Sequence, residues 1–255
     1  MTKKSVQRDL NAFFINIIFA VSFFSMTDLP GIAIKNFHEK TSRGKLYVHD
    51  TFGPRVEMPI SIYFRNEKQM PTLEKKALDL CKGKTLDIGA GAGSHALVLQ
   101  RRNQEAVGLE ISPAACEVMK NRGLKNVLCE DIFKLDNEKF DTLLLLMNGI
   151  GLCGDLDGFR KFLQKAKTLL NENGVLIFDS SDINYMYEDD IFPTDRYYGE
   201  VFCLYEYQKQ LTDWFKWLYL DEETLEKIAS EEGWVTELIY TDENDQYLVK
   251  LNLKK

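Results

Sequence analysis

The residues with the clearest chemical potential are three alternating glycines, Gly89, Gly91 and Gly93, which follow a short apolar run ending in Asp87. Glycine adopts φ > 0 without a steric cost and lets a ligand come close to the backbone. A helix is predicted to begin directly behind the glycines, and its first N–H groups can bind a ligand. Glu110 follows about 20 residues later, at the end of the next predicted strand, where a carboxylate can hold two ribose hydroxyls. The pattern predicts a pocket for an adenosine-type cofactor.

Two kinds of adenosine cofactor fit these glycines, and the acids around them favour one kind. The stretch Gly91–Ala96 also satisfies the looser dinucleotide fingerprint G-x-G-x-x-G/A. Asp87, however, stands where it would repel a pyrophosphate and attract an ammonium group. Asp131 follows the third predicted strand, where an adenine amino group would lie, and the buried fourth strand opens into Asn148. These positions favour a cofactor that carries an ammonium group.

In these four motifs the chain resembles the class I S-adenosylmethionine-dependent methyltransferases, over roughly residues 69–255. The resemblance implies that the glycine motif surrounds the methionine part of S-adenosylmethionine, that Glu110 binds the ribose and that Asp131 binds the adenine. The implied cofactor-binding residues are Asp87, Gly89, Ala90, Gly91, Gly93, Glu110, Ile111, Asp131, Ile132 and Asn148.

The candidate catalytic residues are Asn148 and Asp182, which follow the fourth and fifth predicted strands. Methyl transfer is an in-line displacement, so positioning carries most of the catalysis, and a base is needed only where the acceptor must first lose a proton. Asn148 stands where amino-methylating members of the family carry Asn/Asp-Pro-Pro-aromatic, but residues 149–151 read Gly-Ile-Gly. Methylation of nucleobase or glutamine amino groups is therefore not implied. Asn148 contacts the substrate or the cofactor, or it is only a turn residue at a strand end. Asp182 is a candidate for a base or for a substrate anchor.

Composition and charge narrow the range of partners. The chain has 255 residues, of which 45% are hydrophobic and 28% charged, enough for one good core. A net charge of −7 with scattered basic residues argues against a nucleic-acid substrate. Five cysteines without C-x-x-C spacing and three dispersed histidines predict reduced thiols and no metal site. We expect a cytoplasmic enzyme with a small-molecule methyl acceptor.

The first 25 residues differ from the rest of the chain. Residues 1–8 are basic and residues 10–24 are apolar on all sides, which imitates a signal peptide but is shorter than the ~20 residues of a membrane span. Because S-adenosylmethionine is a cytosolic metabolite, we favour Met26 as the natural start and residues 1–25 as an extension. A membrane tether, a cleaved signal and a packed lid helix are the alternatives. The predicted domains are a cap or lid at 26–68 and the methyltransferase domain at 69–255.

Alternating strands and helices predict an α/β fold, a Rossmann-like, doubly wound, seven-stranded sheet with a C-terminal antiparallel hairpin and an N-terminal lid. The hairpin comprises residues 234–240 and 247–253, an ending that dinucleotide enzymes usually lack. The helix capped by Asp155 is expected to end at residues 173–174, and His95 is expected to be solvated. The predicted strands outside the core are residues 45–49, 59–64, 200–209 and 213–219.

Two other classes of function remain open at this point. A nicotinamide-dependent oxidoreductase would bind NAD(P)H and would not bind S-adenosylhomocysteine. A non-catalytic module that binds the cofactor for a protein partner would keep Glu110 and the glycines but would have a closed substrate face.

Overall fold

The chain folds into two β-sheets with helices around them, and the computed structural model describes residues 28–187 and 191–254. The predicted extension at residues 1–25 lies outside this range. The strands are β1 (Leu46–Asp50), β2 (Val56–Met58), β3 (Thr85–Ile88), β4 (Ala106–Glu110), β5 (Asn126–Cys129), β6 (Phe140–Leu145), β7 (Leu170–Ser181), β8 (Glu200–Tyr207), β9 (Gln210–Leu211), β10 (Phe215–Leu218), β11 (Trp234–Thr241) and β12 (Gln246–Leu253).

Helices cover both faces of the larger sheet, and short 3-10 segments join several strands to their neighbours. The α-helices are α1 (Leu29–Glu39), α2 (Thr72–Leu80), α3 (Ser94–Arg101), α4 (Pro113–Asn121), α5 (Leu156–Leu169) and α6 (Glu222–Glu231). The 3-10 segments are Ile60–Phe64, Glu67–Gln69, Gly149–Cys153 and Asn184–Met186. None of the helices in the described ranges has the length and apolar character of a membrane-spanning segment.

The larger sheet has seven strands in the order β11-β12-β7-β6-β3-β4-β5, which confirms the predicted fold class. Strands β3 to β7 pair in parallel, whereas β12 is antiparallel to both β7 and β11. The chain runs outward from β3 to β5 and then returns to β6 on the other side of β3. The topological switch point therefore lies between β3 and β6, at the edge where ligands bind in such sheets.

The smaller sheet joins the N-terminal cap to a segment from the second half of the chain. Its order is β10-β8-β1-β2, with β9 beside β8, and all of its pairs are antiparallel. Strand β1 pairs with β8 from Leu46 opposite Tyr207 to Asp50 opposite Cys203. The domain boundary at residues 68 and 69 stays a prediction, and this sheet takes strands from both sides of it.

Two local predictions are wrong. Residues 59–64 do not form the partner strand of β1, because β2 takes that place and Pro59, with φ fixed at −64°, leads into a 3-10 turn with Ile60 buried. Helix α5 ends at Leu169 and not at residues 173–174, because Leu170 is already extended and pairs with Phe140 of β6.

Buried apolar side chains hold the helices to the sheets. Helix α5 packs Phe159 and Phe162 on one face of the larger sheet, and helix α2 packs Ala77 and Leu78 on the other. On the cap side, α1 contributes to a separate cluster that includes Ala33 and residues of α4. Both faces of the parallel strands are therefore covered.

Candidate active site

The carboxyl ends of four neighbouring strands bring the predicted site residues together. Strands β5, β4, β3 and β6 are adjacent in this order, and all are parallel. Their ends carry Asp131, Glu110, the glycine loop and Asn148, in the order that the sequence predicts for adenine, ribose, methionine and methyl group. The spatial order of the strands supports the predicted cofactor site; its residue contacts stay predictions.

The glycine loop between β3 and α3 leaves open space at one point. Gly89 has φ of +70°, and no heavy atom lies within 4 Å of the position that a Cβ would take. At Gly91, with φ of +54°, the ring of Tyr63 lies 2.9 Å from the corresponding position. Gly93 is the N-cap residue of α3. A ligand can therefore approach the backbone at Gly89, while Tyr63 from the cap covers the next glycine.

Glu110 joins the loop to the start of helix α4. Its carboxylate accepts hydrogen bonds from the main-chain N–H of Gly91 at 2.9 Å and of Ser112 at 3.0 Å. Burial raises the pKa of Glu110, although these N–H groups oppose the rise. Burial, with the Glu110 charge nearby, raises the pKa of Tyr63 to about 12. The carboxylate is thus held in place at the strand end where ribose hydroxyls would donate to it.

The predicted adenine-binding residues follow β4 and β5, and they differ in exposure. Ile111 is 71% exposed although it is a large apolar residue, and Ile132 is buried in the core. The carboxylate of Asp131 accepts the N–H of Phe133 at 2.9 Å, which fixes its position after β5. Ile111 is therefore accessible to a ligand, whereas Ile132 is part of the core, and the contacts of Ile111, Asp131 and Ile132 with adenine stay predictions.

Asn148 lies three residues after the end of β6 and has an unusual conformation. Met147 and Asn148 have φ of 62° and 54°, in the left-handed region that non-glycine residues rarely adopt. The side-chain amide of Asn148 donates to the carbonyl of Leu218 at 3.3 Å and accepts from the Ser180 hydroxyl at 3.2 Å. These contacts use one N–H and one lone pair of the amide and fix its orientation, so one N–H and one lone pair remain for a ligand.

Asp182 lies just beyond β7, beside a cavity of about 630 Å³. Its carboxylate accepts hydrogen bonds from the Tyr198 hydroxyl at 2.7 Å and from the N–H of Asn184 at 2.9 Å. Asp221 and Tyr247 also line this cavity. Asp182 therefore follows the carboxyl end of β7 and lines a cavity, and its catalytic role stays a prediction.

Known proteins identify the family to which this geometry belongs. A family model described as a methyltransferase domain matches residues 81–223. A SAM-dependent methyltransferase from Bacteroides fragilis, solved with S-adenosyl-L-homocysteine, is 38% identical over 89% of this chain and 95% of its own, with a TM-score of 0.84. The chain belongs to the S-adenosylmethionine-dependent methyltransferases.

More distant structures share the fold of this methyltransferase. A SAM-dependent methyltransferase from Clostridium acetobutylicum is 17% identical over 76% of this chain and 97% of its own, with a TM-score of 0.56. The sugar N-methyltransferase KedS8 from Streptoalloteichus sp. is 15% identical over 81% of this chain and 97% of its own, with a TM-score of 0.55. No curated protein matches the sequence. Of the three function classes left open above, the methyltransferase is the one shown, and S-adenosylmethionine is its cofactor.

A network of buried charged side chains links the helix that follows the glycine loop to helix α2 and to the cap. The sequence did not predict all of its members. The prediction that His95 is solvated is wrong, because it is 6% exposed and its Nε2 lies 2.9 Å from the carboxylate of Glu74. The guanidinium of Arg65 donates to the other oxygen of Glu74 at 2.5 Å. Asp87 is 2% exposed and accepts the N–H of Ala96 at 3.0 Å. The first turn of α3 is therefore tied to helix α2 and to the cap.

Burial and charge compete in this network. Burial lowers the pKa of His95, but the bond to Glu74 and the charge of Asp87 outweigh it, so the pKa is raised. Burial raises the pKa of Glu74, but His95 and Arg65 outweigh it, so the pKa is lowered. Burial raises the pKa of Asp87 despite the charge of His95. The shifts favour an ion pair between His95 and Glu74.

Sequence reasoning missed three acids and one aromatic residue at this edge. Glu74 could have been found as an acid on the apolar face of α2, beside Leu73. Asp179 could have been found as an acid that directly follows a buried apolar run. Asp28 accepts a hydrogen bond from the Ser112 hydroxyl at 2.5 Å and Tyr63 covers Gly91, but neither has such a signal, because these contacts come from folding of the cap. In the described ranges, no group of three or more His, Cys, Asp or Glu side chains could hold a metal ion.

Proposed function

We propose that this methyltransferase acts on a small-molecule acceptor held between the smaller sheet and the carboxyl edge of the larger sheet. The observation that carries the proposal is the position of β10. A Cβ atom at Gly151, in the 3-10 segment that follows Asn148, would collide with the indole of Trp217. The smaller sheet therefore packs directly on the segment next to the predicted methyl-transfer position, which favours a compact acceptor over a polymer.

Three aromatic side chains of the smaller sheet, Tyr205, Phe215 and Trp217, form a layer that we call the roof, which extends from Trp217 toward Glu110. The rings of Tyr205 and Phe215 are stacked with centroids 5.1 Å apart, and Phe215 meets Trp217 edge to face at 6.2 Å. Burial raises the pKa of Tyr205, and the nearby hydroxyl of Tyr63 and carboxylate of Glu110 add to this rise. An apolar or aromatic part of an acceptor would be desolvated against this roof.

The chain's residues then have separate roles in methyl transfer. S-adenosylmethionine, when bound, supplies a methyl group that its sulfonium already activates. Glu110 and Asp131 hold and orient the adenosine part, and the main chain around Asn148 fixes the methyl-bearing end. Asp182 anchors the acceptor or takes a proton from it. Such orientation can contribute up to roughly 7–11 kcal/mol to the lowering of the barrier.

Two further points support a small acceptor in the cytoplasm. The net charge of −7 disfavours a polyanionic substrate. KedS8, a protein of the same fold, acts on a sugar, so the fold accommodates acceptors of this size. The cofactor is a cytosolic metabolite, which supports a cytoplasmic location.

The proposal can be tested by following a labelled methyl group. The protein is incubated with methyl-labelled S-adenosylmethionine and a cell extract, which is then separated into macromolecules and filtrate. After chromatography of the filtrate, the label is expected in a small-molecule product other than unreacted S-adenosylmethionine. Trp217→Ala should abolish the transfer by opening the roof, while Trp214→Ala, at a 54% exposed tryptophan outside the roof, should retain it. Label in the macromolecular fraction alone would show that the acceptor is a polymer.

A further inference from the structure

The turn that follows β6 needs an external support. Met147 and Asn148 both lie in the left-handed region, with φ of 62° and 54°. Neither is glycine, and such residues persist in this conformation only when the surrounding structure holds them there. The support comes from the neighbouring strand, because the main-chain N–H of Asn148 donates to both carboxylate oxygens of Asp179, at 3.0 and 3.1 Å.

Asp179 is the acid in β7 that sequence reasoning missed, and it is 0% exposed. Its second partner is the side-chain amide of Gln246 on β12, which donates at 2.6 Å. The titratable group that faces it from α2 is Glu74, which is itself paired with His95 of α3 and Arg65 of the cap. Burial raises the pKa of Asp179 to about 7, against the hydrogen bonds from Asn148 and Gln246.

We propose that Asp179 is a positioning residue for methyl transfer, which holds the Met147–Asn148 turn against the sulfonium end of the bound cofactor and stabilises the positive charge there. The inference rests on the proposed site, in which the end of β6 faces the methyl group. Asp179 acts through the main chain of Asn148 and does not touch the cofactor. A carboxylate that is buried beside this turn is poorly screened by water, so its charge acts over a longer distance than a surface charge does.

The charge of Asp179 should make the protein bind the cofactor more tightly than its demethylated product. S-adenosylmethionine carries one more positive charge than S-adenosylhomocysteine, and the two molecules otherwise share their contacts. Ionised Asp179 therefore favours the cofactor over the product, and protonated Asp179 does not. The affinity for S-adenosylmethionine relative to S-adenosylhomocysteine should therefore rise as the pH rises through about 7. A carboxylate with a merely structural role would stabilise both complexes alike.

The test measures dissociation constants of both ligands by calorimetry at pH 6 and pH 8. The preference is the dissociation constant of S-adenosylhomocysteine divided by that of S-adenosylmethionine. Between pH 6 and pH 8 this ratio should increase by a factor at least three times larger for the unaltered chain than for Asp179→Asn. The asparagine keeps an oxygen that accepts the N–H of Asn148 but has no charge. Because the amino group of either ligand titrates equally in both proteins, the variant removes that contribution by comparison.

A second variant keeps the proposal testable if Asp179→Asn does not fold. Gln246→Leu removes a donor that stabilises the ionised form of Asp179, so the midpoint of the pH-dependent preference should move to higher pH. An unmoved midpoint, or the same pH dependence in Asp179→Asn as in the unaltered chain, would overturn the proposal. These binding measurements need no acceptor, so they can fail while methyl transfer to a small molecule succeeds, and the reverse.

Discussion

Gly89 offers the sharpest test of the cofactor site, because the structure provides a matched control elsewhere in the chain. Gly89 has φ of +70° and Gly123 has φ of +90°, and neither would place a Cβ within 4 Å of another group. Alanine at either position incurs only the strain of a left-handed L-residue, roughly 1–2 kcal/mol. Both variants should therefore lose a similar few degrees in melting temperature.

The two variants should differ in how they bind the cofactor. At Gly89 the added methyl group fills the space through which a ligand approaches the loop, whereas Gly123 lies in the exposed turn between α4 and β5. We expect Gly89→Ala to weaken S-adenosylhomocysteine binding at least tenfold, or about 1.4 kcal/mol, in isothermal titration calorimetry. Gly123→Ala should bind as the unaltered chain does. Equal affinity of the two variants would refute the placement of the cofactor against this loop.

Three other predictions address the ribose acid, the buried ion pair and the N-terminus. Glu110→Ala should weaken S-adenosylhomocysteine binding at least tenfold, since each charge-assisted hydrogen bond contributes about 1.5–3 kcal/mol; calorimetry should show no change for the surface control Glu226→Ala. His95→Leu should lower the free energy of unfolding in urea by about 1.5–3 kcal/mol, because the buried Glu74 carboxylate loses one of its two partners and keeps only Arg65, and Glu74→Gln should restore part of the loss. Because the pKa of His95 is raised, its ionic contribution is present below about pH 6.5 and is lost as the pH rises through the folded-state pKa; a stability difference that does not shrink on alkalinisation would contradict this. A chain that begins at Met26 should unfold cooperatively and bind S-adenosylhomocysteine like the full chain, and loss of either property would show that the removed segment packs into the fold.

The core strands could be predicted from the sequence because their own composition determines them. A parallel strand buried on both faces consists almost entirely of apolar residues, as residues 143–146 do, and a polar strand end marks the edge where ligands bind. Glu110 could be placed for this reason, since it ends the buried apolar strand β4. Asp131 was placed by its position two residues after β5, which is a half-exposed strand at the edge of the sheet. The N-caps Ser112 and Asp155 were likewise predictable, because they bond N–H groups only three residues away.

The remaining features depend on contacts between distant parts of the chain. His95 stands in the first turn of a helix, where side chains are often solvated, but the carboxylate of Glu74 on another helix makes its burial favourable. The partner of β1 could not be identified because several half-buried strands have similar alternation. Asn148 was placed at the correct strand end, yet the sequence does not show that Leu218 and Ser180 bind its amide.

The smaller sheet has a consequence for how the protein folds during its synthesis. Strand β1 can pair with β8 only after the ribosome has made most of the chain, because Leu46 lies opposite Tyr207. Until then, the apolar side of the cap is exposed, and long-range strand pairing of this kind is slow and prone to aggregation. The pairing of β1 with β8 therefore follows synthesis of β3 to β7, so a nascent chain can form the cofactor loop before the smaller sheet is complete.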